Sequence, residues 1–73
     1  MAGLRERQKA DRSRRIIAAA TALFREAGYD ATRIEDIAER AEVSAGTAYN
    51  YFQTKGEILV AIVSLEVEEV LEA

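Results

Sequence analysis

The chain has no cysteine, no histidine and no proline, and only four glycines among its 73 residues. Without cysteine there is no disulfide framework and no thiolate metal site. Without histidine the commonest metal ligand and general base are both missing. The absence of proline and the small number of glycines leave helices with few breaks. No apolar run is long enough to cross a bilayer. The first fifteen residues, MAGLRERQKADRSRR, hold no apolar segment of the signal-peptide kind. A cytoplasmic protein with no membrane partner is therefore the default expectation. The length supports one small domain. There is no phosphate-binding glycine loop, and the acidic residues fall on solvated helix faces, so nothing favours an enzyme and no cofactor is expected.

Basic residues are not scarce, but they are unevenly spread. The whole chain carries a net charge of -3. Residues 5–15 hold Arg5, Arg7, Lys9, Arg12, Arg14 and Arg15 against Glu6 and Asp11, a local excess of +4. Residues 56–73 hold Glu57, Glu66, Glu68, Glu69 and Glu72 and no basic residue, a local excess of -5. Such polarity lets one end meet phosphate while the other faces away. Ordinary charged surface gives the same count, so charge alone does not decide between the two.

The most informative stretch is TRIEDIAERAEVSAGTAYNYFQTK, from Thr32 to Lys55. Thr32 with Glu35 three residues later has the spacing of a capping box that opens a helix. Ile34, Ile37, Ala38 and Ala41 then recur at helical spacing. Glu42 falls in a tight turn, where positive φ is common and glycine would be easier. Val43 follows as an apolar plug. Ser44 is placed to cap a second helix, which hides Ala48 and Phe52 and leaves Tyr49 on the other side. Two short helices about a tight turn, the second offering hydroxyls and an amide, form the helix-turn-helix arrangement.

On either side the reading is helical. Ile16, Ala20, Leu23, Phe24 and Ala27 form the stripe of a core-facing helix, and Gly28 fits its C-terminal cap. Residues 1–8 are expected to lack structure without a partner. Thr54 with Glu57 repeats the capping-box spacing and opens a last helix. Lys55 lies in its first turn, where a cation opposes the helix dipole, a weak sign that it is there to meet an anion. Ile58, Leu59, Ile62, Val63, Leu65, Val67, Val70 and Leu71 make this helix apolar on more than one face. So much apolar surface implies a missing partner: further helical chain, or a second copy of the domain. Helices are expected near 8–27, 34–41, 45–52 and 55–72. The expected core is Ile16, Ala20, Leu23, Phe24, Ile37, Ala38, Val43, Ala48, Phe52 and Leu59.

In this order the residues resemble the N-terminal DNA-binding domain of the tetracycline-repressor (TetR) family of bacterial regulators. The resemblance runs from Arg14 to Leu65. Its carriers are Ile16, Ala19, Ala20, Leu23 and Phe24, then Gly28-Tyr29 and Thr32, Ile37-Ala38 and Ala41, Val43-Ser44, Gly46-Thr47 and Tyr49, and Tyr51-Phe52 with Lys55. The fold it implies is all-α: a three-helix bundle with a helix-turn-helix, like a homeodomain, and a fourth linker helix. Residues 1–55 would be the head with its basic arm. Residues 56–73 would begin the linker to a ligand-binding and dimerisation domain absent from this chain. The implied function is sequence-specific binding of a double-stranded, near-palindromic operator by a homodimer. In the full-length form a small-molecule effector would release it, through that second domain.

Carried over by position, the resemblance implies that Ala45, Gly46 and Tyr49 face base edges. Thr47, Asn50, Tyr51 and Lys55 would meet phosphates or the groove wall. Thr32 would contact phosphate from the preceding helix, and Ser44 stands with them at the start of the reading helix. Hydroxyls, amides and ammonium groups are suitable donors to phosphate oxygens, and the Ala45 methyl suits a thymine methyl.

The chain departs from the family pattern at several places. Glu35 stands where the family often places an arginine that reaches DNA, and Glu42 replaces the usual turn glycine. Ala45 replaces a common lysine, Ala48 a leucine and Asn50 a histidine. Gln53 and Gly56 replace a frequent proline and glutamate. The reading surface is thus poor in base-reading donors, and specificity falls to Tyr49, Asn50, apolar contacts and DNA shape. A helical protein-interaction module built on the apolar last helix is the alternative. The cluster of Thr47, Tyr49, Asn50, Tyr51 and Lys55 discriminates against it, because such a module has no reason to keep those residues together.

Overall fold

The computed structural model describes the backbone of residues 4–72 and the side chains of residues 10–65. Arg5, Arg7 and Lys9, and the apolar residues Val67, Val70 and Leu71, have side chains outside that range. Four helices follow one another: α1 Leu4–Ala27, α2 Ile34–Arg40, α3 Ala45–Tyr51 and α4 Lys55–Glu72. No strand occurs among the described residues. The expected order of elements holds. α1, however, begins at Leu4 rather than near residue 8, so part of the expected arm is helical.

α1 stops at Gly28, whose φ of 91° is open to glycine and strained for other residues, and whose N–H returns to the Phe24 carbonyl at 3.0 Å. Thr32 then closes the corner. Its side chain is buried, and its hydroxyl donates to the carbonyls of Gly28 at 2.8 Å and Leu23 at 3.4 Å. The Gly28 carbonyl, just past the end of α1, is satisfied in this way. The capping box expected from Thr32 and Glu35 does not form. Arg33 is the N-cap instead, and only half of a box forms there: its N–H donates to the Asp36 carboxylate at 3.1 Å, while the Arg33 side chain has no acceptor to offer in return. Thr32 is spent on α1, and Asp36 has the same three-residue spacing from Arg33.

The turn between α2 and α3 is a Schellman motif. The Val43 N–H reaches the Ala38 carbonyl at 3.0 Å, and the Glu42 N–H reaches the Glu39 carbonyl at 3.1 Å. Glu42 takes the left-handed position at φ 61°, as the sequence leads one to expect. Arg15 of α1 braces this turn, donating to the Ala41 carbonyl at 2.7 Å with the Glu42 carboxylate 3.5 Å away. Ser44 caps α3, its hydroxyl oxygen accepting the Thr47 N–H at 3.1 Å. Thr54 accepts the Glu57 N–H at 3.2 Å at the start of α4, while the Glu57 carboxylate accepts the Gln53 N–H at 2.7 Å.

The core joins all four helices. Ile16, Ala19, Ala20, Ile34, Ile37, Ala38, Ala41, Ala48 and Ile58 are buried. Leu23, Phe24, Val43 and Phe52, expected inside, are partly buried against it. Leu59 is a correction: it is 41% exposed, and Ile58 beside it is fully buried. An all-round apolar helix does not announce which face it turns inward, and α4 presents Ile58 and Ile62 to the core. Small Ala48 lets α3 lie close on α2.

Candidate nucleic-acid interface

α3 is anchored by what it hides. Ala48 is buried, Tyr51 and Phe52 are half-buried, and Gly46, Tyr49 and Asn50 are exposed. Ala45 and Tyr49 are four apart, as are Gly46 and Asn50, so these residues share the outward side of the helix. Ser44 is exposed at its start, and Thr47 is half-buried with its hydroxyl accepting from Ser44 at 2.9 Å. The structure therefore brings Ser44, Ala45, Gly46, Thr47, Tyr49, Asn50 and Tyr51 onto one short helix and its cap.

Two expected residues lie differently. Thr32 is not on this surface: its hydroxyl goes to Gly28 and Leu23, and its N–H to the Tyr29 carbonyl at 3.2 Å. In this conformation no donor of Thr32 points outward, and its work is to hold the α1–α2 corner. Lys55 is half-buried and donates to the Tyr29 carbonyl at 2.9 Å, with the Asp30 carbonyl at 3.5 Å. Its ammonium stands 4.5 Å from the centre of the Tyr29 ring. That ring also packs on Phe24, with centroids 5.1 Å apart. The partners that make a cation tolerable at the start of α4 are thus carbonyl oxygens and a ring face.

A residue known from the sequence only as a departure, at a position where the family often has a DNA-reaching arginine, joins this surface. Glu35, exposed in the first turn of α2, accepts the Tyr49 hydroxyl at 3.0 Å. The Glu35 carboxyl is held below its ordinary range, first by its own backbone N–H and then by Tyr49. The Tyr49 phenol is raised, first by its bond to Glu35. At neutral pH the pair is a carboxylate and a protonated phenol. No local signal links residues fourteen apart on two helices; only the packing of α2 on α3 does.

Away from this face, Arg40 holds Glu26 through paired bonds of 3.0 and 3.3 Å, and the Glu26 carboxyl is lowered chiefly by that bonding. The cationic groups of Arg15 and Arg40 are thereby committed to tying α1 to α2 and its turn.

The model of the family described as bacterial regulatory proteins, tetR family, matches residues 16–62, well over half of the chain. The chain belongs to the TetR family. Its four helices are the N-terminal helix-turn-helix DNA-binding domain of that family, a regulator's domain and not an enzyme's. Among relatives, the transcriptional repressor KstR of Rhodococcus jostii is 40% identical over 60 residues, covering 82% of this chain and 28% of that protein. The transcriptional regulator HbdR of an Aromatoleum species is 51% identical over 49 residues, covering 67% of this chain and 21% of that one. The fatty acid metabolism regulator protein of Bacillus subtilis is 33% identical over 66 residues, covering 90% and 34%. The TetR-family chain thus spans about a third or less of the length of these relatives. Among the described residues no helix is long and apolar enough to cross a membrane.

Proposed function

We propose that this domain reads double-stranded DNA with the outward face of α3, as the head of a transcriptional repressor. The observation that carries the reading is the division of α3: Ala48 is turned to the core, and Gly46, Tyr49 and Asn50 are exposed beside the cap at Ser44. A helix presented in this way suits the major groove. Ala45, Gly46 and Tyr49 meet base edges. Ser44, Thr47, Asn50, Tyr51 and the third ammonium proton of Lys55 meet phosphates or the groove wall. Residues 1–55 act as the head, and residues 56–73 lead into a ligand-binding and dimerising part.

The much greater length of the relatives supports that division. So does α4, which leaves Leu59, Val60, Val63 and Leu65 exposed. Two heads related by a two-fold axis bind a near-palindromic site, and an effector bound by the second part releases it. Enrichment of duplexes from a randomised library tests the reading. Recovery of one sequence, lost on replacing Tyr49 and Asn50 together, is the expected result. Recovery unaffected by those changes places the reading surface elsewhere.

A further inference from the structure

A phenol has one proton to donate and lone pairs with which to accept. Tyr49 gives its proton to Glu35, although both side chains are exposed and neither is forced into the pairing by burial. The bond bridges two elements, α2 and α3, on the surface proposed to face DNA. It leaves the Tyr49 oxygen with lone pairs only, pointing away from the carboxylate.

We propose that Glu35 sets the hydrogen-bonding polarity of Tyr49, so that the phenol oxygen enters the major groove as an acceptor and selects the exocyclic amino group of adenine or cytosine. The proposal rests on the DNA reading given above and names what that reading selects. In the major groove adenine N6 and cytosine N4 are the donors; guanine O6 and N7 and thymine O4 are acceptors. An oxygen whose proton is committed finds no partner among the latter, nor in a phosphate oxygen. The carboxylate charge acts in the same direction, because it is unfavourable beside phosphate and favourable beside an amino group. The pairing also fixes the ring across the gap between the helices, so the lone pairs are aimed before DNA arrives. Raised by its partner, the phenol keeps its proton at neutral pH. Glu35 is then a positioning residue that acts through Tyr49.

The test is selection from a randomised duplex library, followed by sequencing, with the native protein and three variants. The native protein enriches adenine or cytosine at one position of the half-site. Tyr49→Phe loses the preference at that position alone. Glu35→Gln keeps it, because the amide oxygen accepts the same proton. Glu35→Ala frees the proton, so the hydroxyl can donate as well as accept, and the preference at that position relaxes to admit guanine or thymine. A purely structural Glu35 would not change which base is chosen. A second measurement needs no variant: a duplex whose base at that position lacks the amino group binds the native protein about tenfold more weakly. Unchanged base preference in Glu35→Ala, or undiminished affinity for the amino-deleted duplex, overturns the proposal while leaving DNA reading intact. Failure of the native protein to enrich any sequence removes the DNA reading and the proposal together.

Discussion

The Lys55 ammonium donates to the Tyr29 carbonyl at 2.9 Å and stands 4.5 Å from the centre of the same residue's ring. One side chain thus ties the first turn of α4 to the corner between α1 and α2. Lys55→Met loses a charge-assisted bond and a cation–π contact together, a cost of about 1 to 2 kcal/mol. In a domain of this size that lowers the melting temperature by roughly 4 to 16 °C. If its third proton meets phosphate, the same variant reduces the salt slope of DNA binding by about one unit. A lower melting temperature with an unchanged slope makes Lys55 an anchor alone.

Glu42 occupies the left-handed position of the turn without the freedom of glycine. Its ion pair with Arg15 is mostly exposed and contributes little. Glu42→Gly therefore stabilises the domain by about 0.5 to 1 kcal/mol. Urea unfolding measures this as a higher midpoint at unchanged slope; a lower midpoint means that the lost Glu42 ion pair and the added chain freedom of glycine outweigh the strain.

Ile58 and Leu59 are neighbours of similar size with opposite environments, fully buried and 41% exposed. Ile58→Ala costs about 2 to 5 kcal/mol, and Leu59→Ala about 1 kcal/mol or less. Equal losses in thermal melts of the two variants contradict the register of α4 on α1.

The Glu26 and Glu35 carboxyls are both lowered in the folded domain. The sign follows from linkage: a depressed carboxyl contributes stability that is present above its unfolded value and is lost as pH falls through its folded value. Both groups are exposed, so the contribution is small and weakens with salt. Carboxyl-carbon NMR titration is expected to place both below the ordinary glutamate range. Removing Arg40 should restore Glu26 and leave Glu35 where it is.

Signals confined to a few residues were legible in the sequence. Ser44 before Thr47 and Thr54 before Glu57 are local pairs, and both caps form. Glu42 in a tight turn is likewise a local matter, and its positive φ follows. Thr32 and Glu35 have the right spacing for a box, but the corner after α1 takes the Thr32 hydroxyl, and Asp36 instead accepts the N–H of Arg33. Lys55 was readable as a cation in need of an anion, but the carbonyls of Tyr29 and Asp30 come from a distant corner. The side of α4 that packs inward and the bond between Glu35 and Tyr49 depend on how helices lie against one another. Periodicity along one helix does not carry that information.

The central claim is that the outward face of α3 reads DNA sequence, and Tyr49 is where it is most exposed to test. The decisive measurement titrates the native protein and Tyr49→Ala against the enriched duplex and a random duplex over a range of salt, with melting temperatures taken alongside. The native protein is expected to prefer the enriched duplex. Tyr49→Ala is expected to reduce that preference by roughly tenfold to a hundredfold, with little change in random binding, salt slope or melting temperature. A lowered melting temperature with an unchanged ratio of enriched to random binding would contradict the account, because Tyr49 would then be packing and the reading surface would lie elsewhere.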